Sequence, residues 1–222
     1  ADSIIKRRGK ATHVRAGVAS RESVEEALEQ VHARLGSVDM LVNGAGGNLK
    51  EATVGEQRSF FEIPAEAVHA VLNLNFLGTF VCCQVFGEDM AGKKSGSIVN
   101  VSSMNAFRPL TNIPAYSAAK AAVTNFTQWL AVHMAQRYSP AIRVNAVAPG
   151  FVLTEQNRFL LVDGKGGLTE RGRKIIEHTP MGRMGRPEDV VGPVLWLMGK
   201  GSEFVTGAVI PVDGGFSAFG GV

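Results

Sequence analysis

The chain has 222 residues, 45% apolar and 19% charged, with 23 Lys+Arg against 20 Asp+Glu for a net charge of +3. That composition supports a buried core and excludes a disordered chain, and 26 glycines without a three-residue period exclude a collagen-like one. No apolar run reads as long enough for a membrane helix, and the opening ADSIIKRRGK reads as neither a signal nor a transit peptide. The adjacent Cys82 and Cys83 suit neither a disulfide framework nor a metal site, so a cytoplasmic protein without membrane contact is expected.

Strand-like and helix-like stretches alternate along the chain, the pattern of an α/β protein with a parallel sheet and crossover helices. The basic cluster Lys6, Arg7, Arg8, Lys10 and Arg15 reads as a solvated helix end rather than a nucleic-acid face. Residues 11–19 read as a strand. Ser20 then caps a helix whose Val24, Leu28, Val31 and Leu35 recur at three- and four-residue spacing, and Gly36 ends it. Residues 38–43 form a short apolar run, read as a buried strand, leading into Gly44-Ala45-Gly46-Gly47. Pro64 opens a long helix reaching Met90, and residues 95–103 are the next strand. A second long helix runs from Tyr116 to Arg137, followed by a strand over 141–150 that ends in Pro149-Gly150. Residues 151–186 are polar, glycine-rich and irregular, as expected of a substrate lid. Pro187 starts a helix that reaches Met198, and residues 207–215 close the sheet. One domain over 1–222 is expected.

In open parallel sheets, ligands bind at the carboxyl ends of the strands. Here those ends carry Asn43 with the glycine run, Ser102-Ser103, and Pro149-Gly150 followed by Thr154, all small or polar. Tyr116 and Lys120 stand four apart on a helix, one above the other. An ammonium beside a phenol favours the phenolate and brings its pKa from about 10 toward neutrality, giving a usable general acid/base. By spacing alone the pair could equally be an ordinary helical contact. Ser103 ends a strand thirteen residues before Tyr116. Asn75 sits in an otherwise apolar helix, where its amide requires a partner. The five histidines are too scattered for a metal site, so no metal is expected.

In order and spacing, Asn43-Gly-Ala-Gly46, Asn75 in NFLGTF, Ser103, Tyr116-Ser-Ala-Ala-Lys120 and Arg143-Val-Asn-Ala-Val-Ala-Pro149-Gly150 resemble the short-chain dehydrogenase/reductase family, from about residue 11 to Gly215. The resemblance implies a Rossmann-type three-layer sandwich with a doubly wound parallel sheet. It also implies hydride transfer between a nicotinamide and a carbonyl or secondary alcohol. Tyr116 would protonate the carbonyl oxygen, Ser103 would hydrogen-bond it, and Lys120 would hold the nicotinamide ribose and lower the tyrosine pKa. Asn75 would anchor a water in the proton relay. Asn43, Ala45 and Gly46 would line the adenosine ribose, Val18 the adenine, and Pro149, Gly150, Val152 and Thr154 the nicotinamide. Where the family usually has an acidic residue before Val18, this chain has Gly17. The family's first strand, glycine-rich pyrophosphate turn and second strand have no counterpart before residue 11. A β-α-β stretch is therefore expected to be missing, and with it the residue that would decide NAD against NADP.

The wording of 151–161, 168–172 and 178–183, with Gly46-Gly47-Asn48 and the ending Gly214–Phe219, resembles more narrowly the fructuronate reductase (D-mannonate oxidoreductase) branch. That implies reduction of a keto sugar acid to an aldonate. A hexuronate needs a cation for its carboxylate and polar partners for its hydroxyls, and Asn105, Arg108, Asn157 and Arg158 are the candidates. The alternatives are another activity of the family (a gluconate or polyol dehydrogenase, or a 3-oxoacyl thioester reductase), a non-catalytic dinucleotide sensor, and a fragment that binds a partner chain. The long helices around 65–90 and 116–137 resemble those that pair in family tetramers, so a homotetramer is expected.

Overall fold

A computed structural model describes residues 1–155, 157–164 and 166–221. Four parallel strands, β1 (Met40–Asn43), β2 (Gly96–Val101), β3 (Ile142–Pro149) and β4 (Val209–Val212), lie side by side in sequence order. Registers pair Val42 with Val99, Val99 with Asn145, and Val147 with Ile210. Because side chains alternate across a strand, Ile98 and Val99 serve opposite faces. On one face Ile98, Ile142 and Val144 pack with Cys83 and Met90 of α4 (Gly78–Lys93) and with Phe126, Leu130 and Met134 of α5 (Pro114–Arg137). On the other, Val99 and Val147 meet Leu197 of α8 (Pro187–Met198). This is a Rossmann-type layering of helix, sheet and helix. The crossover through α8 passes over the opposite face from those through α4 and α5, while the strand order keeps advancing. It therefore has the opposite hand to both.

Local chemistry sets the helix ends. Ser20 caps α2 (Arg21–Leu35) by accepting the Ser23 amide at 3.3 Å, and Gly36 stops it at φ 88°. α5 begins two residues before Tyr116 because Pro114 occupies its first turn, where a missing N–H costs nothing. Between β3 and α8 lie two short helices, α6 (Arg158–Leu161) and α7 (Glu170–Glu177), the latter capped by Thr169.

Three expectations are corrected. Residues 11–19 form no strand: among the described residues no strand lies beside them to complete a ladder, and a strand is stabilised by its ladder. Val14, Ala16 and Val18 instead line a cavity of about 250 Å³ against α2 and β1. β1 is only partly buried; among the described residues only β2 flanks it, Met40 and Val42 are exposed, and Asn43 is its one buried residue. Finally, α3 (Ala65–Leu72), the turn at 73–77 and α4 make a continuous helical stretch, Ala65–Lys93, apolar and long enough by composition to cross a membrane. Half of its apolar window is buried inside the fold, as for a core helix. The basic cluster near α1 (Asp2–Lys6) is solvent-facing: Lys6, Arg7, Arg8, Lys10 and Arg15 are all exposed.

Candidate active site

Because the four strands are parallel, their carboxyl ends share one rim, and the helices that follow aim their first turns at it. Asn75 occupies a single π-helical turn, Asn73–Leu77, between α3 and α4. Such turns are rare and concentrate at functional sites. Its side chain donates to the carbonyls of Gly47 at 2.7 Å and Val71 at 2.8 Å, and its Oδ1 accepts the Gly47 amide at 3.1 Å. The buried amide is thereby satisfied, and the loop after β1 is pinned to the helix. The Asn75 carbonyl accepts the Thr79 hydroxyl at 2.9 Å.

Lys120 is buried and donates to the carbonyl of Val101 at 2.8 Å, at the end of β2. Its Nζ lies 5.6 Å from the centroid of the Tyr116 ring. A Cβ placed on Gly46 would stand 2.7 Å from Asn75 Oδ1 and 3.2 Å from Lys120 Nζ. Glycine at 46 is therefore a requirement of close approach, and it draws Gly46, Asn75 and Lys120 to one point. Ser103, buried beside the end of β2, accepts the Asn105 amide at 3.3 Å. Ala52, Ala67, Val71, Ala115 and Ala119 pack around Tyr116 and leave little beside it but small side chains.

The electrostatics differ from the expectation for the free side chains. Burial pushes the Tyr116 phenol above its ordinary value, and the neighbouring Ser103 hydroxyl pulls the other way. The expected lowering toward neutrality is thus absent: taking a phenol out of water disfavours its anion. Burial acts in the opposite sense on Lys120, bringing it down to about 8. At neutral pH the pair is a protonated phenol beside a mostly charged ammonium.

The other predicted residues divide. Val18, Asn43 and Ala45 line the same 250 Å³ cavity. Asn43 turns its amide nitrogen into the core, donating to Asn100 Oδ1 at 2.9 Å and Cys83 Sγ at 3.2 Å. Gly150 follows β3, and a Cβ there would collide with Asp213 at 2.6 Å, which makes this loop abut the end of β4. Val152 pairs with Gly185. Asn157 spends both side-chain ends on its own turn, donating to the Val152 carbonyl at 2.7 Å and accepting the Thr154 amide at 2.8 Å. That corrects its expected availability to a substrate. The Arg158 side chain is exposed and makes no hydrogen bond or ion pair among the described residues, whereas Arg108 donates from Nε to the Ser217 carbonyl at 3.2 Å.

Asn105, a predicted substrate residue, is buried with Oδ1 unpartnered among the described residues, an uncommon condition in a folded protein. Sequence reasoning missed two features, the first being the equally unpartnered Ser117 Oγ. Asp213 holds the chain after β4 by accepting the amides of Gly215 at 2.9 Å and Ser217 at 2.8 Å. An aspartate at a strand end followed by two glycines is a legible turn signal for the latter.

A family model described as Enoyl-(Acyl carrier protein) reductase matches residues 1–217. An uncharacterized oxidoreductase, UxuB, of Bacillus subtilis is 48% identical over 223 residues, covering 96% of this chain and 79% of that one. Among solved structures, a proposed D-mannonate oxidoreductase from Haemophilus influenzae with bound NAD superposes with a TM-score of 0.92 at 46% identity, covering 100% of this chain and 82% of that chain. A gluconate 5-dehydrogenase from Burkholderia cenocepacia in complex with NADP and tartrate superposes with a TM-score of 0.85 at 28% identity, covering 98% and 80%.

Proposed function

The chain belongs to the short-chain dehydrogenase/reductase family of oxidoreductases, and from that membership we propose that it transfers a hydride between NAD or NADP and a keto sugar acid, interconverting fructuronate and mannonate. The observation that carries the reading is the convergence of Ser103, Tyr116, Lys120 and Asn75 on the rim where Gly46 lacks a side chain. A sensor of dinucleotides would have no use for a buried phenol with an ammonium beside it. The sugar-acid assignment is supported by the similarity to the UxuB and D-mannonate oxidoreductase proteins.

The residues present fit a nicotinamide cofactor. The Gly46 backbone can be approached closely, Lys120 offers donors at the same point, and Val18, Asn43 and Ala45 line a cavity continuous with that loop. Tyr116 and Lys120 would hold the ribose, and Pro149, Gly150, Val152 and Thr154 would flank the ring. When bound, the cofactor supplies or accepts the hydride. The chain's own part is proton management. Tyr116, a phenol protonated at neutral pH and held further from ionisation by burial, donates its proton to the substrate's carbonyl oxygen as charge develops there. Ser103 hydrogen-bonds the same oxygen and shares that charge. The Lys120 ammonium stabilises the phenolate left behind, and Asn75 fixes the loop against which the ring must seat.

Asn105, with its unpaired Oδ1, and Arg108 and Arg158 are the groups for the substrate's hydroxyls and carboxylate. A run of ring contacts leads from the buried Phe126 out to Trp129 and His133 on α5 and Tyr138 just after it, with Trp129 and Tyr138 exposed, and this is the face through which we propose a tetramer assembles. The test is a rate comparison across keto sugar acids and 3-oxoacyl thioesters with each nicotinamide, in the wild type and Tyr116→Phe. Turnover confined to the sugar acids, reduced at least a hundredfold by the substitution, is expected. A preference for thioesters, or a Tyr116→Phe variant near the wild-type rate, would overturn it.

A further inference from the structure

We propose that Asp213 and the Ser217 carbonyl are positioning groups that hold Arg108 ready for the substrate's carboxylate; the inference rests on the sugar-acid reading above. Arg108 follows the short turn after Ser103, with its amide on the Met104 carbonyl at 2.9 Å, so its backbone is set by the end of β2. Its Nε donates to the Ser217 carbonyl at 3.2 Å, 109 residues away in sequence. A guanidinium has five N–H donors in a fixed fork. Fixing Nε therefore fixes the plane of the rest, and the two terminal nitrogens make no other hydrogen bond or ion pair among the described residues. That is a pre-set fork suited to a carboxylate, which it can meet with two parallel bonds.

The Ser217 carbonyl is itself held in place. Both oxygens of the Asp213 carboxylate are used, one on the Gly215 amide at 2.9 Å and the other on the Ser217 amide at 2.8 Å. The turn between them needs Gly214 at φ 65° and Gly215 at φ 91°, conformations open to glycine. Phe216 then packs edge-on against Phe151, ring centroids 5.2 Å apart, just past Gly150. The segment after β4 thus bridges the loops after β3 and β2, the two that carry Gly150 and Ser103. Arg158 lacks any such tether, and Arg183 is already paired with Asp189 at 2.7 Å. Of Arg108, Arg158 and Arg183, Arg108 is the one that is tethered while both terminal nitrogens stay uncommitted, which reduces the entropy lost on binding.

Calorimetric binding of D-mannonate and of its neutral amide, in the presence of NADH so that no hydride can be transferred, tests this. Loss of a charge-assisted contact of this kind weakens binding roughly 10- to 100-fold. Arg108→Ala is expected to weaken mannonate by that factor and the amide by much less, and Arg108→Lys to recover only part. Asp213→Ala is expected to show the same selectivity, and Asp213→Asn, which keeps one acceptor, a smaller loss. Because Asp213 acts through Arg108, the double alanine variant should bind mannonate no worse than Arg108→Ala alone. Additive losses, equal weakening of both ligands by Asp213→Ala, or unchanged mannonate binding in Arg108→Ala would each overturn the inference and leave the sugar-acid reading standing. A wild type that neither binds mannonate nor turns over any keto sugar acid would remove both.

Discussion

Asn75 grips Gly47 by both halves of its backbone, donating to the carbonyl at 2.7 Å and accepting from the amide at 3.1 Å. A primary amide is one of the few side chains that can do both at once. The grip joins the π-helical turn to the loop after β1, so its loss frees the loop that Gly46 presents to Lys120. Asn75→Leu keeps the branched shape at a larger volume, removes all three bonds to backbone and leaves both halves of Gly47 without this partner. A destabilisation of about 2–3 kcal/mol is expected. The KM for the nicotinamide should rise tenfold or more while the KM for the carbonyl substrate changes less. Equal changes in both constants would show that the grip does not act on that loop.

Gly150 abuts Asp213 so closely that a Cβ would lie 2.6 Å from the aspartate Cβ and 2.7 Å from its Cα. Backbone cannot rotate away as a long side chain can. Gly150→Ala should therefore cost roughly 1–3 kcal/mol by overpacking, measured as a lowered denaturation midpoint at unchanged slope. Gly78→Ala makes the contrast: its Cβ would meet the Val18 methyl at 2.7 Å, a side chain at the border of a cavity with room to yield. Its effect on stability should be smaller, and an ordering of the two in reverse would show that the loop after β3 is softer than its contacts imply.

Much of this architecture was legible because it is written locally. Ser20, Gly36, Pro114 and Pro187 mark helix ends through capping and proline chemistry that needs no tertiary context. The Tyr116–Lys120 spacing and the glycine run after β1 likewise place chemistry on one rim from sequence order alone. What was not legible depends on partners distant in sequence. Residues 11–19 have a strand's composition, but a strand exists only with a neighbour. The buried network of Asn43, Cys83, Asn100 and Thr127 joins four elements that no pattern of spacing connects. The direction of the Tyr116 shift is hidden for a related reason: the four-residue spacing shows a neighbouring lysine but not the burial that raises the phenol against the pull of Ser103.

Cys83 belongs to that network, its thiol bonded toward Asn100 at 3.7 Å and accepting from Asn43 at 3.2 Å. Burial pushes its pKa up to about 12, and Cys82 beside it is raised as well. The thiolate is the reactive form. Both thiols should therefore resist an aromatic disulfide reagent at pH 8 in the folded protein and react together on unfolding in denaturant. Rapid labelling of either in the native state, with loss of activity, would contradict the buried geometry.

Lys120 carries the clearest pH dependence. Its folded pKa of about 8 lies below the model-compound value of 10.5, so the unfolded chain holds more protons between those values. The penalty is full below about pH 8 and fades as pH rises toward 10.5; the lysine's contribution to stability therefore improves with pH across that window. At pH 7 the penalty is on the order of 3 kcal/mol, set against about 1 kcal/mol from the bond to Val101. Lys120→Met should accordingly raise the melting temperature at pH 7 by several degrees, on the scale of roughly 2–4 °C per kcal/mol for a chain of this size. The same substitution should abolish most of the reductase rate. In the wild type, kcat/KM for reduction should fall through a single ionisation near pH 8, as the ammonium that steadies the Tyr116 phenolate is lost. Lys120→Arg, whose charge persists, should move that fall to higher pH. A stabilised but fully active Lys120→Met would separate the buried charge from the chemistry and refute the role given to it.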